Sequence, residues 1–167
     1  MNAAGPLPLV EERVSFGRVI PAEVNVLLQQ AAAHADDFDR SECALLAARR
    51  VAPGQLEVFI ALYKLYFYRG LVEQAEQVVR ETLQTAADSG AFDADWRRLT
   101  RTGVDWQVCE GPARVYLYTL KALSFIRLRR NDSRGAAELL AALARLDPDD
   151  QVGADVLRDM IGALENT

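Results

Sequence analysis

A chain of 167 residues, half of them apolar and 26% charged, with 10 glycines and 6 prolines, has the composition of one ordinary domain able to bury a core of its own. Nineteen Lys plus Arg against 24 Asp plus Glu leave a net charge of −5, which argues against a protein that gains affinity by neutralising nucleic-acid phosphates. Cys43 and Cys109 stand in no metal or redox spacing, Met1 to Val10 carries no basic residue, and nowhere do about 18 apolar residues run together, so a cytoplasmic protein is expected, neither secreted nor membrane-spanning.

Pro6, Pro8 and Pro21 lack the N–H that a helix interior needs, and residues 1–21 read as an extended lead-in. From Ala22, Val24, Leu27 and Leu28 fall at helical spacing and lead through Ala31 to Ala33 into the polar stretch Asp36 to Asp39. A second helix from about Arg40 carries Cys43, Leu45, Leu46 and Val51 and stops at Pro53-Gly54. The plan then repeats: Leu56 to Tyr68 is strongly apolar, Arg69-Gly70 is a turn, and Val72 to Ala87 is amphipathic, with Asp88-Ser89-Gly90 closing it. Ala113 to Arg130 and Ser133 to Leu146 form a third pair around Asn131-Asp132, closed by Asp147-Pro148. A last helix from Val152 puts Val156, Leu157, Met160, Ile161 and Leu164 on one face. No segment alternates with period two, so the fold class is all-α.

The pairs share a register. Moving 34 residues along from the first pair brings Gly70 to the place of Asp36 and sets Ala75, Val79, Thr82 and Leu83 on second-helix positions; Ala136, Leu140 and Leu143 match them in the third. With Phe59, Leu62 and Tyr66 at bulky positions, Gly70 at the turn and Ala75 at the small contact position, the chain resembles the tetratricopeptide repeat (TPR), a 34-residue unit of helix, turn and helix. Tyr63 stands where that family prefers a small residue, and Asn25 and Ala32 where it prefers large ones. The resemblance implies repeats at 22–55, 56–89 and 117–150 within one domain over 22–165. They would form a superhelical stack of antiparallel helix pairs, capped by the helix in 151–167. Residues 90–116 have no place in the repeat; they hold Trp96 and Trp106 with Arg97, Arg98, Arg101 and Cys109. Those tryptophans either fold back over the junction between units or form a partner-contacting loop.

Catalytic chemistry is not evident. His34 is the single histidine, and neither a dinucleotide fingerprint nor a P-loop is present. Counted as a calcium loop from Asp147, the chain has Val152 at the sixth position and Arg158 at the twelfth, so Asp147-Pro148-Asp149-Asp150 reads as capping. Both cysteines read as buried structural residues, and Arg127, Arg129, Arg130 and Arg134 as charges complementing a helix C-terminus. No catalytic residue, metal or cofactor is expected. In the repeat register the first helices line a concave face, which places Lys64, Phe67 and Tyr68 beside Tyr118, Lys121 and Phe125 as an aromatic groove with two central cations; Trp96 and Trp106 are further candidate contacts. Val26 and Gln30 replace the Lys and Asn of the family's carboxylate clamp.

The expectation is therefore a non-enzymatic adaptor or chaperone that holds a peptide or protein partner in its groove, as a monomer or as a homodimer exchanging Leu7 to Val10. Size, acidity and three repeats are similar to type III secretion class II chaperones. The Arg-Leu-Arg-Arg and Asp-Pro-Asp-Asp-Gln-Val-Gly segments in Leu117 to Met160 are similar to small bacterial repeat proteins found beside nitrogen-fixation genes. Abundant Ala, Leu and Arg with only Lys64 and Lys121 as lysines suggest a GC-rich bacterial source. A cysteine-dependent activity at Cys109 is the enzymatic alternative.

Overall fold

The computed structural model describes residues 19–165, so the expected lead-in, apart from its last residues, and the expected exchange of Leu7 to Val10 lie outside the described residues. Within them the regular structure is all-helical: α1 (Ala22–Ala33), α2 (Phe38–Val51), α3 (Leu56–Tyr68), α4 (Val72–Gly90), α5 (Pro112–Arg129), α6 (Ser133–Leu146) and α7 (Asp155–Glu165). Each helix packs on the next in chain order, which is a tandem, solenoid-like arrangement of antiparallel hairpins.

Local chemistry sets the hairpins. Leu56 begins α3 34 residues after Ala22 begins α1, and Val72 begins α4 34 residues after Phe38 begins α2. Ser41, Ala75 and Ala136 occupy equivalent places in α2, α4 and α6 and are all buried, because only small side chains let paired helices approach closely there. Ser41 adds a clasp, its hydroxyl donating to the carbonyls of Ala31 (2.9 Å) and His34 (2.7 Å) at the end of α1. The α3–α4 and α5–α6 turns are alike. Gly70 (φ +73°) and Asn131 (φ +58°) are both left-handed, and Leu71 N–H to Tyr66 and Asp132 N–H to Arg127 close the helix ends, each at 2.9 Å. Asp37 and Asp132 cap α2 and α6 by accepting from the amides of Arg40 and Gly135.

α4 runs on to Gly90, past its expected close, and ends with Ala91 left-handed at φ +55°. The reason lies downstream: Phe92 stacks edge-on against both Trp106 (5.3 Å) and Tyr116 (5.2 Å), which fixes where the chain leaves the helix. Residues 91–111 contain turns and bends but no helix. Trp106 is buried with its indole N–H on the Thr100 carbonyl (2.8 Å), and the Tyr116 hydroxyl donates to the Ala94 carbonyl (2.6 Å), so the insertion folds back over the junction between α4 and α5.

α5 is the centre of the molecule. Every residue from Val115 to Ile126 is buried, among them Thr119, Lys121 and Ser124. A helix buried all round needs neighbours on every side, and α4, α6, α3 and the turn before α7 contribute them. That turn is organised by the acidic stretch: Asp147 accepts from the amides of Gln151 and Val152, and Asp150 from those of Ala154 and Asp155, at the start of α7.

Candidate functional site

The eight residues expected to meet a partner separate into four environments. Tyr118, Lys121, Phe125 and Trp106 are core residues, at 1%, 7%, 2% and 2% exposure. The Lys121 ammonium donates to the Val152 carbonyl at 2.7 Å, inside the protein. The structure has no open aromatic groove with two central lysines at this place, contrary to expectation: the pre-α7 turn reaches Lys121, and α5 lies under its neighbours instead of facing solvent. Register alone does not show this, because it places residues on a helix face without saying what covers that face.

Lys64 and Phe67 belong to the contact of α3 with α5. The Lys64 ammonium sits 5.3 Å from the centre of the Tyr118 ring, and Phe67 is nearly buried beneath Arg129 (5.8 Å to the ring centre). Tyr63, Lys64 and Phe67 face Ala122 and Ile126 across a narrow crevice too small for a peptide. Burial, then the nearby Tyr118 hydroxyl, push the Tyr63 phenol well above its ordinary pKa despite a contact with Thr119, so it stays protonated.

Tyr68 is different. It is 46% exposed and stands at the rim of an open groove of about 270 Å³ between α1, α2 and α3. Leu28, Ala31, Ala32, Leu45, Ala61 and Leu65 make this groove almost wholly apolar, and the short alanine side chains give it depth. Arg69 closes one end; its guanidinium donates to the carbonyls of Ala35 (3.1 Å) and Asp36 (2.9 Å) and lies 5.8 Å from the centre of the Phe38 ring. On the α2 side Tyr66 donates to Glu42 (2.7 Å); burial, then that bond, push its phenol up to about 12. The groove is thus an apolar slot on the α1–α3 side of the molecule. In the sequence, Ala31 and Ala32 read only as part of the small-residue run that ends the first helix.

Trp96 lies in the segment between α4 and α5, half-buried, with Arg97 4.4 Å from its ring centre and Arg145 donating to its carbonyl (2.9 Å). It lines a polar cleft with Arg80, Arg127, Arg134 and Glu138. Beneath it is Glu76, at 7% exposure, which accepts from Arg80 (2.7 Å) and Arg130 (2.6 Å) and pairs with Arg127 (3.2 Å). Burial alone would raise the Glu76 carboxyl; the three guanidiniums outweigh it and hold the group below its usual range. The basic run of α5 was legible, but its anchor was not. Arg80 is a visible partner four residues along, whereas Arg127 and Arg130 lie on another helix.

No protein-family model matches the chain, and no solved structure does. One curated protein is similar to it. This is the "uncharacterized 19.8 kDa protein in nifW 5'region" of Azotobacter chroococcum mcd 1, 28% identical over 123 residues that cover 72% of this chain and 69% of the relative.

Among the described residues no cluster of three or more His, Cys, Asp or Glu is placed to hold a metal, and no helix is long and apolar enough to cross a membrane. Both cysteines are exposed thiols, contrary to the expected burial, and no disulfide joins them. Cys43 shares a shallow pocket on α1 and α2 with His34, Gln30 and Arg40, whereas Cys109 lies in the insertion.

Proposed function

We propose that this chain is a non-enzymatic accessory protein of nitrogen-fixation machinery, and that it holds a segment of a protein partner in the groove between α1 and α3. The likeness to the Azotobacter protein encoded beside nifW carries the reading. The tandem hairpins support it, because such stacks present one continuous face to a partner. In its finer form the array is three degenerate TPR units with the insertion between the second and third, working in the cytoplasm as an adaptor or chaperone. The apolar groove suits the hydrophobic face of a helix or a short run of apolar side chains, with Tyr68 closing over it from the rim. Trp96 is a second contact candidate, being a half-exposed aromatic beside arginine.

The test is affinity capture by the tagged protein from its source bacterium, grown with and without fixed nitrogen, beside Ala61→Glu, which puts a carboxylate into the groove. A partner present only in nitrogen-fixing cells, held by the wild type and reduced at least 10-fold with a folded Ala61→Glu protein, is the expected result. Capture that ignores both the growth condition and the substitution overturns the reading.

A further inference from the structure

We propose that the arginine cleft between α4, the insertion and the α5–α6 hairpin is a binding site for a phosphoryl group. The cleft has a volume of about 290 Å³ and lies away from the apolar groove, sharing no lining residue with it. Arg80, Arg97, Arg127 and Arg134 line it. With Arg130, five arginines here pair with four carboxylates, Glu76, Asp95, Asp132 and Glu138, and a sixth, Arg145, donates to the Trp96 carbonyl. A surplus of two positive charges at one place, in a chain of net charge −5, has the sign and size for a dianion.

The geometry separates the arginines into a base and a rim. Glu76 is nearly buried and takes Arg80 and Arg130 at 2.7 and 2.6 Å, the length of strong charge-assisted bonds, so it orients the base of the cleft without filling it. Of the other three lining arginines, Arg97 and Arg134 are held loosely, whereas Arg127 also pairs with Glu76 at 3.2 Å. Arg127 meets Asp132 at 3.3 Å, Arg97 meets Asp95 at 3.4 Å and Arg134 meets Glu138 at 3.5 Å, all beyond the usual charge-assisted distance. Arg97 and Arg134 are also largely in water, and an exposed pair of that length holds its partners weakly. Their planar forks can turn onto a phosphoryl oxygen, two donors at a time, at the cost of one weak ion pair each and, for Arg97, of its contact with the Trp96 ring. Trp96 gives the cleft a flat apolar wall and a fluorescent reporter within it.

The probes are inorganic phosphate and pyrophosphate, titrated against sodium chloride at matched ionic strength, with tryptophan fluorescence and calorimetry as readouts. The test variant is Arg97→Gln with Arg134→Gln, two exposed arginines that do not touch Glu76; circular dichroism verifies its fold. Saturable binding of phosphate or pyrophosphate, weakened at least 10-fold in the double variant and unchanged in Ala61→Glu, is expected; phosphate alone sufficing marks a single phosphoryl group as the ligand, and pyrophosphate alone a diphosphate. A response no different from chloride, or one equal in the double variant, overturns the proposal. So does saturable binding of a glutamate-rich peptide with none of phosphate or pyrophosphate. Failure of the partner-capture experiment at Ala61→Glu leaves this test unaffected, since the apolar groove and the arginine cleft share no lining residue.

Discussion

Glu76 shows how one side chain can join elements distant in sequence. It lies on α4, and its three arginines come from α4 and from the end of α5, so a single carboxylate clamps two helix pairs together. Replacing it by glutamine leaves three guanidiniums facing each other. The expected loss is about 1–3 kcal/mol at pH 7, below that of a fully buried pair because the arginines are partly in water. The carboxyl titrates lower in the folded protein than in the unfolded chain. Its contribution is therefore complete above the ordinary glutamate pKa of about 4.3 and disappears as pH falls through the lower, folded value. Urea unfolding of wild type and Glu76→Gln should show a clear gap at pH 7 that closes progressively in acid below that range; a gap independent of pH would mean that packing, not charge, is what the substitution removes.

Each of three hairpin turns or helix ends in this chain uses a left-handed residue, but not the same one. Gly70 and Asn131 suit that conformation, whereas Ala91 pays for it sterically. The insertion accounts for the tolerance: Phe92, one residue on, is locked between Trp106 and Tyr116, and this packing holds the α4 terminus in place. Ala91→Gly should relieve the strain and raise stability by roughly 0.5–1 kcal/mol, read as a higher urea midpoint with unchanged slope. A lower midpoint would show that the backbone freedom glycine adds to the unfolded chain outweighs the strain.

At the scale of the molecule, the hairpins are not equally secured. α5 is enclosed along twelve consecutive residues, while Val24 of α1 packs in a small cluster with Ala48 and Val58, apart from the main core. In a stack whose units touch only their neighbours, the end with the thinner core opens first. Native-state hydrogen exchange should therefore find the slowest amides in α5 and faster helical amides in α1, with exchange in α1 taking place without global unfolding. Equal protection of α1 and α5 would instead make the array one cooperative unit. The apolar groove borders α1, so a partner bound there should slow α1 exchange more than that of any other helix.

Local patterning determined most of the elements. Apolar spacing located every helix within a few residues, proline, glycine and Asx signals placed the turns, and the small residues Ala75 and Ala136 marked where paired helices touch, because each of these effects acts over one or two helical turns. The acidic stretch after α6 was likewise readable as capping, since Asp147 and Asp150 act on amides four or five residues away. Tertiary structure decided which faces remain open. Lys121 and Phe125 carry the same helical signal whether they line a groove or fill a core, and only the packing of α3, α4, α6 and the pre-α7 turn around α5 buries them. The same packing opens the apolar slot at Tyr68 and brings Arg127 and Arg130 to Glu76, some 50 residues away in sequence, which no periodicity encodes because it depends on how whole helices cross.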